Sequence, residues 1–323
     1  MRTRVFPRTG WALSEIGYGM WGMGGWTGSD DRESARALDA AAAHACSFFD
    51  TAWAYGEGKS ERLLGDLIAR HPDRPLSVAT KIPPKNRQWP GKSSSRADEV
   101  FPYDHIVEYA AKSLENLRRP SIDLLQLHVW DDRWTPSKGW RDAAADLKRS
   151  GRVRAFGISV NRWEPHNVLA ALETGLVDSV QVVYNIFDQS AEDELFPACQ
   201  RLGVAVIARV PFDEGSLTGA LTMESQWPEG DFRNIYFSKE SLAATLPRVE
   251  KLKQFAADHG MTLPDLALRF ILSHPAVTTT IPGMRREQHV AANLQAGSAD
   301  PLPADLVAAL RAFRWDRGPD HRP

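Results

Sequence analysis

Residues 48–56 read Phe-Phe-Asp-Thr-Ala-Trp-Ala-Tyr-Gly, a short apolar run that ends in a carboxylate and is followed closely by a phenol. Two later apolar runs also end in an ionisable side chain, namely Leu-Ser-Val-Ala-Thr-Lys at 76–81 and Ile-Asp-Leu-Leu-Gln-Leu-His at 122–128. Short runs that alternate with helical patterns are typical of parallel strands joined by helices. The three stretches therefore predict strands of one parallel sheet.

The same alternation extends over nearly the whole chain. Further strand-like runs lie near 15–20, 153–159, 177–184, 204–210 and 277–281. Helical patterns lie near 32–46, 59–70, 104–117, 138–150, 164–174, 191–202, 241–274, 286–296 and 304–314. Eight strands with interleaved helices and no dividing linker predict an α/β fold, a single-domain (α/β)8 TIM barrel over residues 1–323.

Two connections are unusually long, at about 83–103 and 212–239, and both follow strand ends. Loops longer than about 12–15 residues in a compact domain are commonly lids or binding loops. On a barrel these two segments are predicted to cover the mouth of the active site.

The composition excludes several classes of protein. Of 323 residues, 43% are hydrophobic and 25% charged, and the net charge of −2 argues against a nucleic-acid surface or a polybasic membrane patch. Cys46 and Cys199 lack metal-like spacing and fit a reducing compartment. No apolar run resembles a signal peptide or reaches the roughly 20 residues of a membrane span. We expect a cytoplasmic protein with a small-molecule partner, either a monomer or a homo-oligomer.

Four ionisable residues stand at or just past the strand ends: Asp50, Tyr55, Lys81 and His128. An ammonium beside a phenol stabilises the phenolate, and a carboxylate keeps that ammonium charged. An imidazole can position a carbonyl oxygen or relay a proton. Each residue alone has a structural explanation, as a turn cap, a solvated lysine or a core histidine. Together they predict a proton-donating site on the rim where barrel enzymes carry their chemistry.

Several motifs resemble the aldo-keto reductase family closely. They are Asp-Thr-Ala-Trp-Ala-Tyr-Gly at 50–56, Ala-Thr-Lys at 79–81, Leu-Gln-Leu-His at 125–128, Gly-Ile-Ser-Val-Asn at 157–161, Gln-Val-Val-Tyr-Asn at 181–185 and Ile-Pro-Gly-Met-Arg at 281–285. The motifs cover nearly the whole chain in the family's order. The resemblance implies a barrel that binds NADP(H) in extended form without a Rossmann domain, with NAD as a possible cofactor. It also implies that the four residues form a catalytic tetrad, in which Tyr55 donates the proton as hydride reaches the carbonyl carbon.

For the nicotinamide carboxamide, the resemblance implies contacts from Ser159, Asn161 and Gln181. The family's usual Ser-Asn pair is separated here by Val160, so either Asn161 takes part or only Ser159 and Gln181 do. An alternative role for Ser159 and Asn161 is to cap the helix predicted near 164–174.

The segment around Arg209 and Pro211 departs further from the family, which commonly places an aromatic ring at the position of Arg209, stacked on the nicotinamide. A guanidinium plane can also stack on a ring. We expect Arg209 to disfavour the cationic oxidised ring. The alternative is a surface salt bridge to Asp213 or Glu214.

Residues 283–286 read Gly-Met-Arg-Arg and open a helix, an arrangement suited to phosphate. By resemblance, Gly283 and Arg285 hold the adenosine 2′-phosphate, with Gln288 and Asn293 near adenine. His289 and Ala292 replace an arginine and a glutamate found in many relatives. The alternative is a solvated charged face.

Gly-Tyr-Gly-Met-Trp-Gly at 17–22 matches the dinucleotide pattern GxGxxG, but no helix follows directly. In the barrel this is the first strand turning into its loop, with Met20 and Trp21 near the cofactor ribose and the substrate. The sequence contains no HExxH, Walker A, CxxC or GxSxG motif, and therefore gives no support for metal or serine chemistry.

Six of the 11 tryptophans fall in predicted strand-end loops: Trp21, Trp26, Trp53, Trp89, Trp130 and Trp134. Core packing explains any one of them. As a group they predict an apolar substrate wall, to which we assign Trp21, Trp53, Trp89 and Trp130.

The sequence thus predicts an NADP-dependent reductase of aldehydes or ketones. Two alternatives remain, an NAD(P)-linked sugar or alcohol dehydrogenase and a nucleotide-sensing regulatory subunit with negligible turnover.

Overall fold

The computed structural model describes residues 1–25, 28 and 30–316, so Trp26 lies outside the described residues. The chain begins with an antiparallel hairpin of β1 (Thr3–Val5) and β2 (Ala12–Ser14), which the sequence patterns did not predict. Eight parallel strands follow in chain order around one sheet. They are β3 (Tyr18–Gly19), β4 (Phe48–Asp50), β5 (Ser77–Ile82), β6 (Ile122–Leu127), β7 (Val153–Ser159), β8 (Ser179–Val183), β9 (Ala205–Arg209) and β10 (Val277–Thr280).

The sheet closes on itself between its first and last strands. The backbone N–H of Gly17 donates to the oxygen of Thr280 (2.8 Å), and that of Gly19 donates to the oxygen of Pro282 (3.0 Å). Closure removes the two exposed sheet edges. The (α/β)8 fold predicted from the sequence is thereby confirmed.

Twelve helices surround the sheet within the described residues. They are α1 (Asp31–Ala43), α2 (Lys59–Arg70), α3 (Ala97–Val100), α4 (Tyr103–Leu117), α5 (Lys138–Arg149), α6 (Leu169–Glu173), α7 (Leu195–Leu202), α8 (Arg233–Tyr236), α9 (Lys239–Asp258), α10 (Leu263–Ser273), α11 (Glu287–Ala296) and α12 (Ala304–Arg311). The short helices α3 and α8 lie in the two long loops.

The single helical pattern predicted near 241–274 is in fact two helices. Gly260 adopts a φ of +68°, and this left-handed conformation ends α9. Glycine suits the position because residues with a side chain rarely adopt a positive φ. The Thr262 hydroxyl accepts from the backbone N–H of Asp265 and caps α10, with a proline in its first turn. The pattern near 164–174 likewise yields only the short α6.

The hairpin closes the floor of the barrel. Phe6 and Leu13 are fully buried and pack inside the barrel with Phe48, Leu124 and Ile207 of the strands. Apolar faces of most of the surrounding helices cover the outside of the sheet in a second, larger core. The interior is therefore filled from below, which leaves the opposite rim for polar side chains.

Buried aspartates fasten the amino-terminal ends of the strands. Asp178 accepts from the backbone N–H of Phe156 (2.8 Å) and from the Lys148 ammonium (2.6 Å). Asp123 accepts in the same way from the backbone N–H of Val78 (2.9 Å). Each carboxylate thus ties neighbouring strands together at the floor of the barrel.

Candidate active site

The opposite rim brings Asp50, Lys81 and Tyr55 together. Asp50 is the last residue of β4, and Lys81 is next to last in β5. The Lys81 ammonium donates to Asp50 Oδ2 (2.5 Å), to the backbone oxygen of Thr51 (2.8 Å) and to the Tyr55 hydroxyl (3.4 Å). Lys81 has 0% and Asp50 2% of its surface exposed. The structure thus builds the predicted arrangement of a carboxylate, an ammonium and a phenol.

Two amides hold the second oxygen of the Asp50 carboxylate. Asp50 Oδ1 accepts from Gln181 Nε2 (2.8 Å) of β8 and from Gln126 Nε2 (3.4 Å) of β6. Gln181, which is also predicted to contact a nicotinamide carboxamide, thus lies on the catalytic rim with one N–H on the carboxylate. Gln126 was not singled out from the sequence, although a lone amide within an otherwise apolar strand is a usable signal of an inward-facing polar group.

The electrostatics keep the phenol protonated and the lysine charged. Burial raises the pKa of Tyr55, the Lys81 charge opposes this rise, and the Asp50 charge adds to it. Burial alone would lower the pKa of Lys81, but the Asp50 carboxylate and the Tyr55 phenol outweigh burial and raise it. The expected influence of Lys81 on the phenol is therefore present, and burial exceeds it.

His128 follows β6 directly and completes the group. Its ring centroid lies 5.7 Å from that of Tyr55, at an interplanar angle of 74°. Burial, followed by the charges of Lys81 and Arg209, holds the pKa of His128 well below its usual range. The imidazole is therefore neutral at neutral pH. Its Nδ1 is buried without a hydrogen-bond partner in the described part of the chain.

Trp89 and Trp21 present exposed indoles on this rim. Trp89 belongs to the 83–103 loop and stands edge-on to the His128 ring, with centroids 4.5 Å apart at 86°. It is 46% exposed, and Trp21 is 44% exposed. Both therefore present open aromatic surface, as a substrate wall requires.

The other two tryptophans assigned to the wall are placed differently. Trp130 is 0% exposed and packs edge-on against Trp134 and Trp140. The structure therefore does not support Trp130 as a wall residue, because a core cluster encloses its indole. Trp53 is half-buried and packs edge-on against Tyr109 of α4, with centroids 4.7 Å apart.

Asn161 is bonded to the protein itself. Its Oδ1 accepts from the backbone N–H of Gly91 (3.2 Å), and its Nδ2 donates to the oxygen of Gly91 (3.1 Å) and to Glu164 (2.9 Å). Both amide hydrogens are thus in use, and the predicted carboxamide contact of Asn161 is not supported. Neither Asn161 nor Ser159 caps the short α6, whose N-cap position is Val168. Ser159 ends β7 on the catalytic rim and is nearly buried.

Arg209 ends β9 and also lies on this rim. Its Nη2 donates to the backbone oxygen of Val160 (3.0 Å), while its Nε is buried and unpaired among the described residues. Burial, and then the nearby Arg162 charge, lowers the pKa of Arg209 to about 10. The alternative was a salt bridge from Arg209 to Asp213 or Glu214. Glu214 pairs with Arg162, and Asp213 accepts from the hydroxyls of Ser216 and Tyr236. Arg162 was not singled out from the sequence.

The chain turns sharply just after Arg209. Val210 has a φ of +58°, which is rare for a β-branched residue and redirects the backbone before the buried Pro211. The predicted contact of Met20 with a cofactor finds no support, because its side chain is fully buried in the outer core.

A second polar area lies at the start of α11. The N-cap residue of this ten-residue helix, Arg286, makes no side-chain capping hydrogen bond. Arg285 lies just before it and packs over Gly22, where a Cβ would meet Arg285 Cδ at 2.7 Å. Gly283 is exposed, and apart from the glycine itself and its two chain neighbours no described residue lies within 4 Å of where its Cβ would stand. Backbone N–H groups beside arginines fit a phosphate.

Further along α11, Gln288 is exposed and Asn293 is nearly buried. In the ranges 1–25, 28 and 30–316, no cluster of His, Cys, Asp or Glu could hold a metal ion. None of the helices described is both long and apolar enough to span a bilayer.

Comparisons with known proteins agree with this architecture. The model of the aldo/keto reductase family matches residues 15–314. The aldo-keto reductase YhdN of Bacillus subtilis is 30% identical and covers 86% of this chain and 83% of its own length. The NADH-specific methylglyoxal reductase of Escherichia coli is 28% identical over 92% of this chain and 96% of its own. Among solved structures, the glycerol dehydrogenase AKR11B4 of Gluconobacter oxydans is 26% identical, covers 99% of this chain and 98% of its own, and has a TM-score of 0.81.

Proposed function

Because the chain belongs to the aldo/keto reductase family of oxidoreductases, we propose that it reduces an aldehyde or ketone to the alcohol with NADPH. The observation that supports this most strongly is the buried ammonium of Lys81, which donates to both Asp50 and Tyr55. A phenol paired with a buried ammonium is a proton donor whose anionic product is stabilised in advance.

The cofactor supplies hydride to the carbonyl carbon when it is bound. Tyr55 donates its proton to the carbonyl oxygen, which becomes the alcohol hydroxyl. Lys81 then stabilises the phenolate across the 3.4 Å contact, and Asp50 keeps Lys81 charged and in place. His128 stays neutral because burial lowers its pKa, so it orients the carbonyl by hydrogen bonding without adding a charge.

We assign the cofactor to the region between the catalytic rim and the start of α11. Ser159 and Gln181 remain the candidates for the carboxamide, with Arg209 and Pro211 beside the nicotinamide. Gly283, Arg285 and the start of α11 would bind the 2′-phosphate, with Gln288 and Asn293 near adenine. The uncapped start of α11 beside Arg285 supports NADP. NAD remains the alternative, because the E. coli relative is described as NADH-specific.

Two other functions compete with carbonyl reduction. The structural relative described as a glycerol dehydrogenase favours an NAD(P)-linked dehydrogenase of a sugar or alcohol. The third possibility is a nucleotide-sensing regulatory subunit, which would bind the cofactor with negligible turnover. The complete group of Asp50, Lys81, Tyr55 and His128 favours an enzyme. We place it in the cytoplasm, in keeping with two buried cysteines that form no disulfide.

The test is to follow the absorbance of NADPH and NADH in parallel against a panel of small, aliphatic and aromatic carbonyls. We expect NADPH consumption with at least one class of carbonyl, and slower or weaker use of NADH. Faster turnover of alcohols with the oxidised cofactor would support the dehydrogenase instead. Tight NADPH binding without turnover of any carbonyl or alcohol would support the sensor.

A further inference from the structure

The Asn161 amide clamps the loop that supplies Trp89. Asn161 follows β7, whereas Gly91 lies in the 83–103 loop, and the two residues exchange a pair of hydrogen bonds at 3.2 and 3.1 Å. Asn161 and Gly91 are both buried. Bonds to both the N–H and the oxygen of Gly91 fix the orientation of that residue as well as its distance, which a single hydrogen bond does not.

A second anchor holds the same loop. Trp134 donates its indole N–H to the backbone oxygen of Ser95 (2.8 Å). The same indole lies so near Gly91 that an added Cβ would stand 3.0 Å from Trp134 Cη2. The loop therefore lies directly on the core tryptophan cluster, and a side chain at position 91 would require Trp134 to shift slightly.

Trp89 depends on these anchors. Nearly half of its surface is exposed, so burial of its own indole contributes little to holding it beside His128. An exposed side chain on a long loop keeps one position only if the backbone near it is fixed. Gly91 is that fixed point, two residues along the chain from Trp89.

We propose that Asn161 is a positioning residue that sets substrate selectivity through Trp89, rather than a ligand of the cofactor. The clamp holds the indole against the imidazole that orients the carbonyl. The selected class is then carbonyls with a planar or bulky apolar group next to the reacting carbon, which can pack against the indole. This inference rests on the proposed function and adds a residue outside the catalytic group.

The experiment compares Asn161→Ala with Asn167→Ala. Asn167 also donates to Glu164 (3.1 Å), but its oxygen accepts from the backbone N–H of Asp132 and not from the 83–103 loop. For Asn161→Ala, we expect the KM of an aromatic aldehyde to rise about tenfold, the equivalent of one or two lost hydrogen bonds. The KM of a small aliphatic aldehyde, the kcat and the Kd of NADPH should change about twofold or less. Asn167→Ala should behave as the wild type.

A double-mutant cycle with Trp89→Ala tests whether the effect passes through the indole. The single variants should raise the aromatic KM similarly, and the double variant should raise it no further. Additive effects would overturn the proposal, as would a weakened NADPH Kd with an unchanged aromatic KM. If Asn161→Ala has a markedly lowered Tm, Gly91→Ala perturbs the same pair of residues from the loop side. It should reproduce the selective rise in the KM of the aromatic aldehyde.

The two proposals fail in distinguishable ways. If the wild-type protein reduces no carbonyl, both the proposed function and this inference are wrong. If the wild type turns over normally and the KM of the aromatic aldehyde is unchanged in Asn161→Ala and Gly91→Ala, only this inference is wrong.

Discussion

The two ends of the barrel use buried carboxylates for opposite purposes. At the floor, Asp178 binds a backbone N–H and the partly exposed Lys148, which fastens neighbouring strands. At the catalytic rim, Asp50 binds the fully buried Lys81, which also contacts Tyr55. One carboxylate is bonded mainly to the scaffold, and the other is bonded to a group that must handle a proton. Burial alone therefore does not distinguish a structural charge from a functional one, whereas the identity of the partner does.

The largest expected effect is at the rim. Tyr55→Phe removes the proposed acid but leaves the ring and its packing, so kcat should fall by about 10²–10⁴-fold. The melting temperature and the Kd of NADPH should stay near the wild-type values. Stopped-flow measurement compares the rate of hydride transfer in Tyr55→Phe with that in the wild type. Turnover near that of the wild type would show that another group donates the proton.

The second effect belongs to the floor. Asp178→Ala leaves the backbone N–H of Phe156 and the ammonium of Lys148 without their carboxylate, which should lower the free energy of unfolding by about 2–4 kcal/mol. The kcat of the remaining folded enzyme should be unchanged. Urea denaturation measures the loss, and Asp142→Ala, at an exposed position of α5, is the matched control. A fall in kcat of Asp178→Ala without a loss of stability would contradict the structural role assigned to the carboxylate at the floor.

A smaller effect tests the cofactor side of the rim. If the Arg209 guanidinium lies against the nicotinamide, it opposes the positive charge of the oxidised ring. Arg209→Tyr should then strengthen NADP⁺ binding relative to NADPH by about fivefold, a difference on the order of 1 kcal/mol between two nearby charges. Titration of both cofactor forms measures the ratio. Arg286→Gln serves as the control, because Arg286 stands at the start of α11, where the proposed phosphate site would bind the same group in both forms. An unchanged ratio for Arg209→Tyr rules out this role.

The smallest effect concerns pH. The folded pKa of His128 lies below its ordinary value of 6.5, so between these two values the unfolded chain binds more protons. The stability that His128 contributes is therefore complete above the unfolded pKa and is lost as the pH falls towards the folded one. His128→Gln should reduce the fall in Tm between about pH 7 and pH 5 by about 1–2 °C. Calorimetry at both pH values measures the fall in Tm. An equal fall in the wild type and in His128→Gln would contradict a lowered pKa of His128 in the folded protein.

The sequence was a good guide to the barrel and to the four residues on its rim. Alternating apolar runs and helical patterns located all eight strands, because each signal is local. The α9–α10 break was missed, although Gly260 after α9 and Pro264 in the first turn of α10 are usable signals of it. The hairpin was missed because its strands have only three residues each.

Amide partners could not be predicted in the same way. Gln181 donates to Asp50 and Asn161 to Gly91, and each pair is far apart in the chain. The motif identifies the amide, but the strand register and the path of a loop determine which group it meets. Trp130 shows the same limit, because its place in a strand-end loop gave no sign of the tryptophan cluster that encloses it.

The closure between Gly17 and Thr280 has a consequence for the order of events during synthesis. Asp50, Tyr55, Lys81 and His128 leave the ribosome early, but the last strand that completes the ring comes near the end of the chain. A nascent chain stalled before β10 therefore contains every proposed catalytic group without a closed barrel to bury the Asp50–Lys81 pair. Activity should appear only on completion of the chain, so truncation before Thr280 should abolish it while leaving the whole tetrad in the product.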